Sequence, residues 1–137
     1  MDSQMTAMAG EFLTAGKLFK RGCQVSVTYG NAKSVDLLVL NPKTKKVFKV
    51  QVKTQLRKNA FFLSREALED VDVVVFVRLN ADDADEQFFI IPSAVMLANR
   101  DHFFGSSYRN PAKPAKVPGI NYGPLAEYED RWDVFVT

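Results

Sequence analysis

Three residues with chemistry to offer fall close together on one short stretch of the chain: Asp36, Gln51 and Lys53. Opposed carboxylates can hold a hard divalent cation such as magnesium, and the cation activates a water and neutralises charge on a phosphate. A lysine beside them orients that water or steadies a phosphorane-like transition state as a point charge. Asp36 supplies one carboxylate. Gln51 offers only a neutral amide oxygen, a weaker ligand, and the Val52 backbone carbonyl can complete the shell. A second carboxylate has to come from outside the stretch, and Glu11 is the candidate.

The element that must position these groups is a β-hairpin. Val35-Leu40 and Val47-Thr54 are rich in apolar and β-branched residues, and residues 41–46 between them are turn chemistry without apolar content. A symmetric loop pairs Leu40 with Val47, Leu38 with Lys49 and Asp36 with Gln51, with Lys53 two residues further along the same face. The opposite face then reads Val35, Leu37, Val39, Phe48, Val50 and Val52, able to seal against a core. A one-residue slip would send the polar groups into the core, so the pattern pins this register against all but a bulge.

Glu11 belongs to a helix predicted over residues 3–21, with Met5, Met8, Phe12, Gly16 and Phe19 as the stripe expected to pack and Gly22 as its stop. Glu11 lies about 100° from the stripe centre, where it reads equally as a cleft residue or a solvent-facing glutamate. Lys17, Lys20 and Arg21 occupy the other flank, as solubilising or ligand-binding charges.

With 137 residues, 47% of them hydrophobic, the chain is expected to form a single domain over 1–137. One cysteine, Cys23, precludes an intramolecular disulfide, and Met1-Gly10 lacks an export signal, so a cytoplasmic location is expected. No apolar stretch approaches the roughly 20 residues of a membrane helix. The net charge of +2 hides a segregation. Residues 37–65 contain no acid, while Lys43, Lys45, Lys46, Lys49, Lys53, Arg57, Lys58 and Arg65 are basic; residues 66–86 hold eight acids against Arg78 alone. A basic block coinciding with the candidate site suits a polyanionic ligand, although such blocks also serve as solvated faces.

Elsewhere, Cys23-Thr28 reads as a strand and Val71-Leu79 as a buried one. Gln87-Ile91 reads as another strand, followed by a helix from Pro92 or Ser93 to Arg100. In the connector 55–64, Arg57 and Lys58 mix with Phe61 and Phe62, as at nucleic-acid surfaces or in an anchored loop. The acids at 82–86 lack EF-hand spacing. His102 is the only histidine, which argues against a His-rich metal cage and a Ser-His pair. Residues 104–128 hold four of the six prolines and read as an extended loop, and Trp132 reads as a core plug.

Gly10-Glu11 on a leading helix, then Ser34-Val35-Asp36-Leu37-Leu38-Val39, a turn, and Val50-Gln51-Val52-Lys53-Thr54, resemble the PD-(D/E)XK nuclease superfamily. The likeness is to its small Holliday-junction-resolvase-like and endonuclease-like members and covers roughly residues 10 to 95. The close at Tyr128-Trp132-Asp133 also resembles uncharacterised bacterial members. The resemblance implies an α/β, restriction-endonuclease-like fold: an αβββαβ core with a mixed central β-sheet flanked by helices. Position by position, Asp36 matches the metal-binding aspartate, Lys53 the catalytic lysine and Glu11 the helix glutamate. Gln51 stands where the motif has an acid, and Val35 where it has proline. One fewer charge should weaken metal affinity.

The resemblance thus implies a Mg2+-dependent (or Mn2+-dependent) endonuclease acting on DNA, with Glu11, Asp36, Gln51 and Val52 holding the metal. Lys17, Lys49, Thr54, Arg57 and Lys58 are the expected nucleic-acid contacts, and a homodimer is expected by analogy. The alternative is a catalytically inactive nuclease-fold protein that binds nucleic acid or a partner protein.

Overall fold

The computed structural model describes residues 2–28, 34–56, 60–80, 84–105 and 118–137. It begins with α1 (Ser3–Lys20), whose first turn is capped by the Asp2 carboxylate accepting from the Met5 amide at 2.8 Å. The helix ends at Gly22, where a φ of 86° needs a residue without a Cβ. Strands β1 (Gln24–Val27), β2 (Leu37–Leu40) and β3 (Val47–Gln55) follow, then a two-residue strand β4 (Phe61–Phe62) and the short helix α2 (Arg65–Asp70). Next come β5 (Val73–Arg78) and β6 (Gln87–Pro92), α3 (Ser93–Ala98), α4 (Arg100–Phe104) and β7 (Gly119–Ile120). Two 3-10 helices close the chain, Gly123–Tyr128 and Trp132–Phe135.

The main sheet has the order β1-β2-β3-β5-β6, antiparallel except for the parallel β3–β5 pair. This is the mixed α/β sheet flanked by helices that was expected, with α2 making the crossover that a parallel pair requires. Leu40 pairs with Val47 and Leu38 with Lys49, so the hairpin register is the one its turn residues dictate. Asn41 fixes the turn: its side-chain oxygen accepts from the amides of Lys43 and Thr44, and its nitrogen donates to the Phe135 carbonyl.

Each sheet face carries its own core. Leu37, Val39, Val50, Val52, Val73, Val75 and Val77 pack with Leu18 of α1 and with Trp132 and Phe135, so Trp132 is a core plug. Val74, Phe76, Phe89 and Ile91 pack with Phe61, Leu63, Leu68, Met96 and Phe103 on the other side. Among the described residues no helix is long and apolar enough to cross a membrane.

Two expectations are corrected. The stripe of α1 is not the side that faces the sheet: Met5, Phe12 and Phe19 are 58%, 49% and 56% exposed, and the buried residues are Thr6, Gly10, Thr14, Ala15 and Leu18. The reason is close approach. A Cβ on Gly10 would stand 1.8 Å from the Thr54 hydroxyl oxygen, so the inward face of α1 admits only small side chains along most of its length. The proline-rich 104–128 region is not one extended loop either. Residues 106–117 lie outside those described, but β7 pairs with β4, and Gly123–Tyr128 is a 3-10 helix that buries Leu125.

Candidate active site

Asp36 stands at the mouth of β2, where the hairpin pairing slips. Every in-register pair of the hairpin assigns Gln51 as the neighbour of Asp36, yet the Asp36 amide donates to the Val50 carbonyl at 2.8 Å, one residue out of step. A slip of one residue is what a β-bulge makes. It reverses the side-chain alternation, so Val35 packs into the core beyond the sheet face opposite Leu37, rather than beside Leu37 as the regular pattern would have it. Thr28 steadies the slip from β1: its hydroxyl donates to the Val35 carbonyl and its amide to the Asp36 carbonyl. Ser34, at φ 64°, turns the chain into it.

The slip brings the Asp36 carboxylate in beside β3. Its Oδ2 accepts from the Val52 amide at 2.8 Å and from the Gln51 side-chain nitrogen at 2.9 Å, replacing the backbone partner that β2 no longer supplies. One residue of a strand turns its amide and carbonyl toward the same neighbour, so the Val52 carbonyl faces the same gap. Gln51 is 7% exposed and pairs with Val74, while Lys53 pairs with Phe76 on the same sheet face and is half-buried.

Glu11 comes from the opposite face of the sheet, carried by α1 where Gly10 rests on Thr54. Its carboxyl is pushed up to about 7, first by burial and then by the charge of Asp36. Burial also raises the Asp36 carboxyl, against the pull of the Val52 amide and the Lys53 ammonium. Two half-buried carboxylates that each resist ionisation through burial, one of them further because of the other, are a pair a cation would relieve. The donors around the gap are all oxygens, which suits a hard ion such as Mg2+ or Mn2+. The set is thin in charge: among the described residues no three His, Cys, Asp or Glu side chains group together. Gln51 turns its nitrogen to Asp36, so its amide oxygen joins such a set only if the amide rotates.

The expected nucleic-acid contacts are dispersed. Lys49 lies exposed on β3 two residues before Gln51. Thr54 sits under Gly10 with its hydroxyl buried and unbonded, so it spaces α1 from the sheet and does not face a ligand. Lys17 lies over the Phe88 ring at 5.6 Å, in a cavity of about 430 Å³ lined also by Asp85, Glu86, Glu129 and Asp130, on the edge strand two strands from β3. Arg57 and Lys58 lie outside the described residues. Sequence reading passed over Thr28 and Ser34, which shape the slip at Asp36. A row of small residues at positions 6, 10 and 14 of α1 was the available sign of a helix pressed against the sheet.

A mixed five-stranded sheet with helices on both faces, and a carboxylate pair beside a lysine at the end of its central hairpin, make up the α/β fold and its candidate site. The solved structure of a bacterial homing endonuclease, I-Ssp6803I, is similar, with a TM-score of 0.60 and 16% identity over 99% of this chain and 94% of that one. At that identity the likeness is one of fold. No family model and no curated protein match the chain by sequence.

Proposed function

We propose that this protein is a divalent-metal-dependent endonuclease that hydrolyses DNA phosphodiester bonds, a member of the PD-(D/E)XK group with glutamine in the acid position. The observation that carries this reading is that Asp36, bonded to the Val52 amide and the Gln51 side chain, lies close enough for its charge to act on Glu11 of α1 and to feel Lys53. The fold it shares with a homing endonuclease supports DNA as the substrate.

Glu11, Asp36 and the Val52 carbonyl would hold the metal, which when bound supplies a water activated at neutral pH and positive charge against the phosphate. The Val52 amide and the Gln51 nitrogen fix one oxygen of Asp36, leaving its other oxygen to turn toward the gap. Lys53 directs its charge to the phosphate oxygens as the water oxygen bonds to phosphorus and the bond to the leaving sugar oxygen breaks. Lys49 and the basic turn at Lys43, Lys45 and Lys46 extend the positive surface along the hairpin.

Cleavage of linear, branched and single-stranded DNA with Mg2+ or Mn2+ tests the proposal. Activity that chelator abolishes, and that Asp36→Asn or Lys53→Ala lowers by about 100-fold or more, is the expected result. No cutting of any substrate by the wild type would overturn it.

One observation favours a second reading. The Gln51 amide donates to Asp36 in a position where an acid would bind metal, so the site could serve binding without hydrolysis. A silent relative would bind DNA in a salt-sensitive, chelator-insensitive way without cutting it, and Gln51→Glu would then be the variant that gains cleavage.

A further inference from the structure

The sheet face that carries Gln51 and Lys53 continues onto β5. Lys53 pairs with Phe76 and Gln55 with Arg78, so Lys53, Gln55 and Arg78 share one side of the parallel β3–β5 pair. Arg78 is offset from Lys53 by one strand and two residues, which puts their Cα atoms about 8 Å apart. It is the last residue of β5, and Lys53 stands near the end of β3. Both cations therefore lie toward the carboxyl ends of the two parallel strands, the edge at which an open α/β sheet receives its ligands.

Lys53 has Asp36 near enough to answer its charge. Arg78 has no such partner. It is half-buried, yet among the described residues nothing accepts a hydrogen bond from its guanidinium and no carboxylate forms an ion pair with it. Its Nε is shut off from water and unmatched. Arg21 and Arg131, by contrast, donate to the Lys17 carbonyl and to Asp133. Opposite Arg78 on β6 stands Gln87, which is neutral and turns its nitrogen to Glu129 at 3.3 Å. The guanidinium is held in place all the same, 5.4 Å from the centre of the Tyr122 ring. That ring stacks on Phe61, which in turn packs on Phe76.

An arginine that served only to brace the fold at this depth would spend its five donors on neighbouring oxygens. One that is aimed by an aromatic ring and keeps its donors open suits an anion arriving from outside, and its planar fork matches a phosphate. We propose that Arg78 is a phosphate-binding residue that grips the DNA backbone next to the phosphate at Lys53, with Tyr122 as the platform that aims it. The proposal rests on the reading of this face as a DNA-cleaving site and adds a positioning contact to it. A backbone held at Arg78 has its neighbouring phosphate directed toward Lys53 and Asp36, while Arg78 itself stays one strand away from the phosphorus under attack.

Binding measured without cleavage separates this proposal from the nuclease reading. Fluorescence anisotropy of a labelled DNA duplex in chelator, repeated over a series of salt concentrations, reads the number of phosphates neutralised. Arg78→Gln should retain the wild-type circular dichroism, weaken binding by about 10-fold and reduce the salt slope by about 1. Arg78→Lys should keep the wild-type slope while binding about 3-fold more weakly, because lysine brings the charge without the fork. In cleavage assays the loss in Arg78→Gln should fall more in KM than in kcat, the reverse of Lys53→Ala. A folded Arg78→Gln with an unchanged slope overturns the proposal. So does an Arg78→Lys that binds as tightly as the wild type or that loses the slope, and this variant decides alone if Arg78→Gln does not fold. A slope that falls in Arg78→Gln while the wild type cuts no DNA leaves the backbone contact standing and the nuclease reading overturned; cleavage by the wild type with an unchanged slope does the opposite.

Discussion

Glu11 titrates where physiological pH can reach it. Its carboxyl is raised from 4.5 to about 7 by burial first and the Asp36 charge second. A carboxyl raised in the folded state favours folding while it is protonated. That contribution is full below pH 4.5 and is lost as pH climbs through about 7. In chelator, the thermal midpoint of the wild type should therefore decline relative to Glu11→Gln over that window, with Asp36 acting in the same direction in both proteins. A wild type that gains on Glu11→Gln as pH rises would contradict the account. Asp36→Asn, followed by carbon-13 NMR of the Glu11 carboxyl, separates the two causes: the titration should move down but stay above 4.5, because burial outranks charge. Asp36, Gln51 and Lys53 could be picked out from residue types and hairpin register alone, since the Asn41–Lys46 turn fixes the count. The bulge at Asp36 could not, because a bulge made from ordinary residues leaves no compositional mark. It appears only as the Asp36 amide reaching Val50 where register gives Gln51.

At the scale of elements, periodicity located α1 but mistook its inner side. An apolar stripe on a surface helix normally faces the core, and here it faces out because the helix axis comes too near β3 for anything larger than glycine at position 10. Gly10→Ala should lift or shift α1 and cost about 1–3 kcal/mol, as overpacking does, even though alanine is the better helix former. Chemical denaturation would measure it. A stability equal to or above wild type would show that the contact yields. Gly16→Ala on the outward side is the control, expected to stabilise the helix by up to about 1 kcal/mol. The strands β5 and β6 were readable as apolar runs bounded by acids and Pro92. The β4–β7 pair was not, since two-residue strands some 60 positions apart carry no local pattern.

For the whole molecule, the C-terminal segment closes one core. Trp132 is 4% exposed, tilts against Phe88 at 5.5 Å and lies under the Arg21 guanidinium at 4.9 Å. Trp132→Ala should cost about 3–5 kcal/mol without altering the donors around Asp36. A loss below about 1 kcal/mol in denaturant titration would mean the segment is not holding the core.

The inner face of α1 has a further consequence. Its buried apolar side chains are only Ala15 and Leu18, since Thr6, Gly10 and Thr14 make up the remainder of the buried face. A helix held by so little apolar contact should open more easily than the five-stranded sheet beneath it. Native-state hydrogen exchange should then find the mid-helix amides of α1 exchanging well before those of β3 and β5, and slowing when divalent cation is added. Each opening takes Glu11 with it and leaves Asp36 behind on the sheet. The candidate site would thus be assembled and dismantled by the detachment of one helix, while the rest of the fold stays closed.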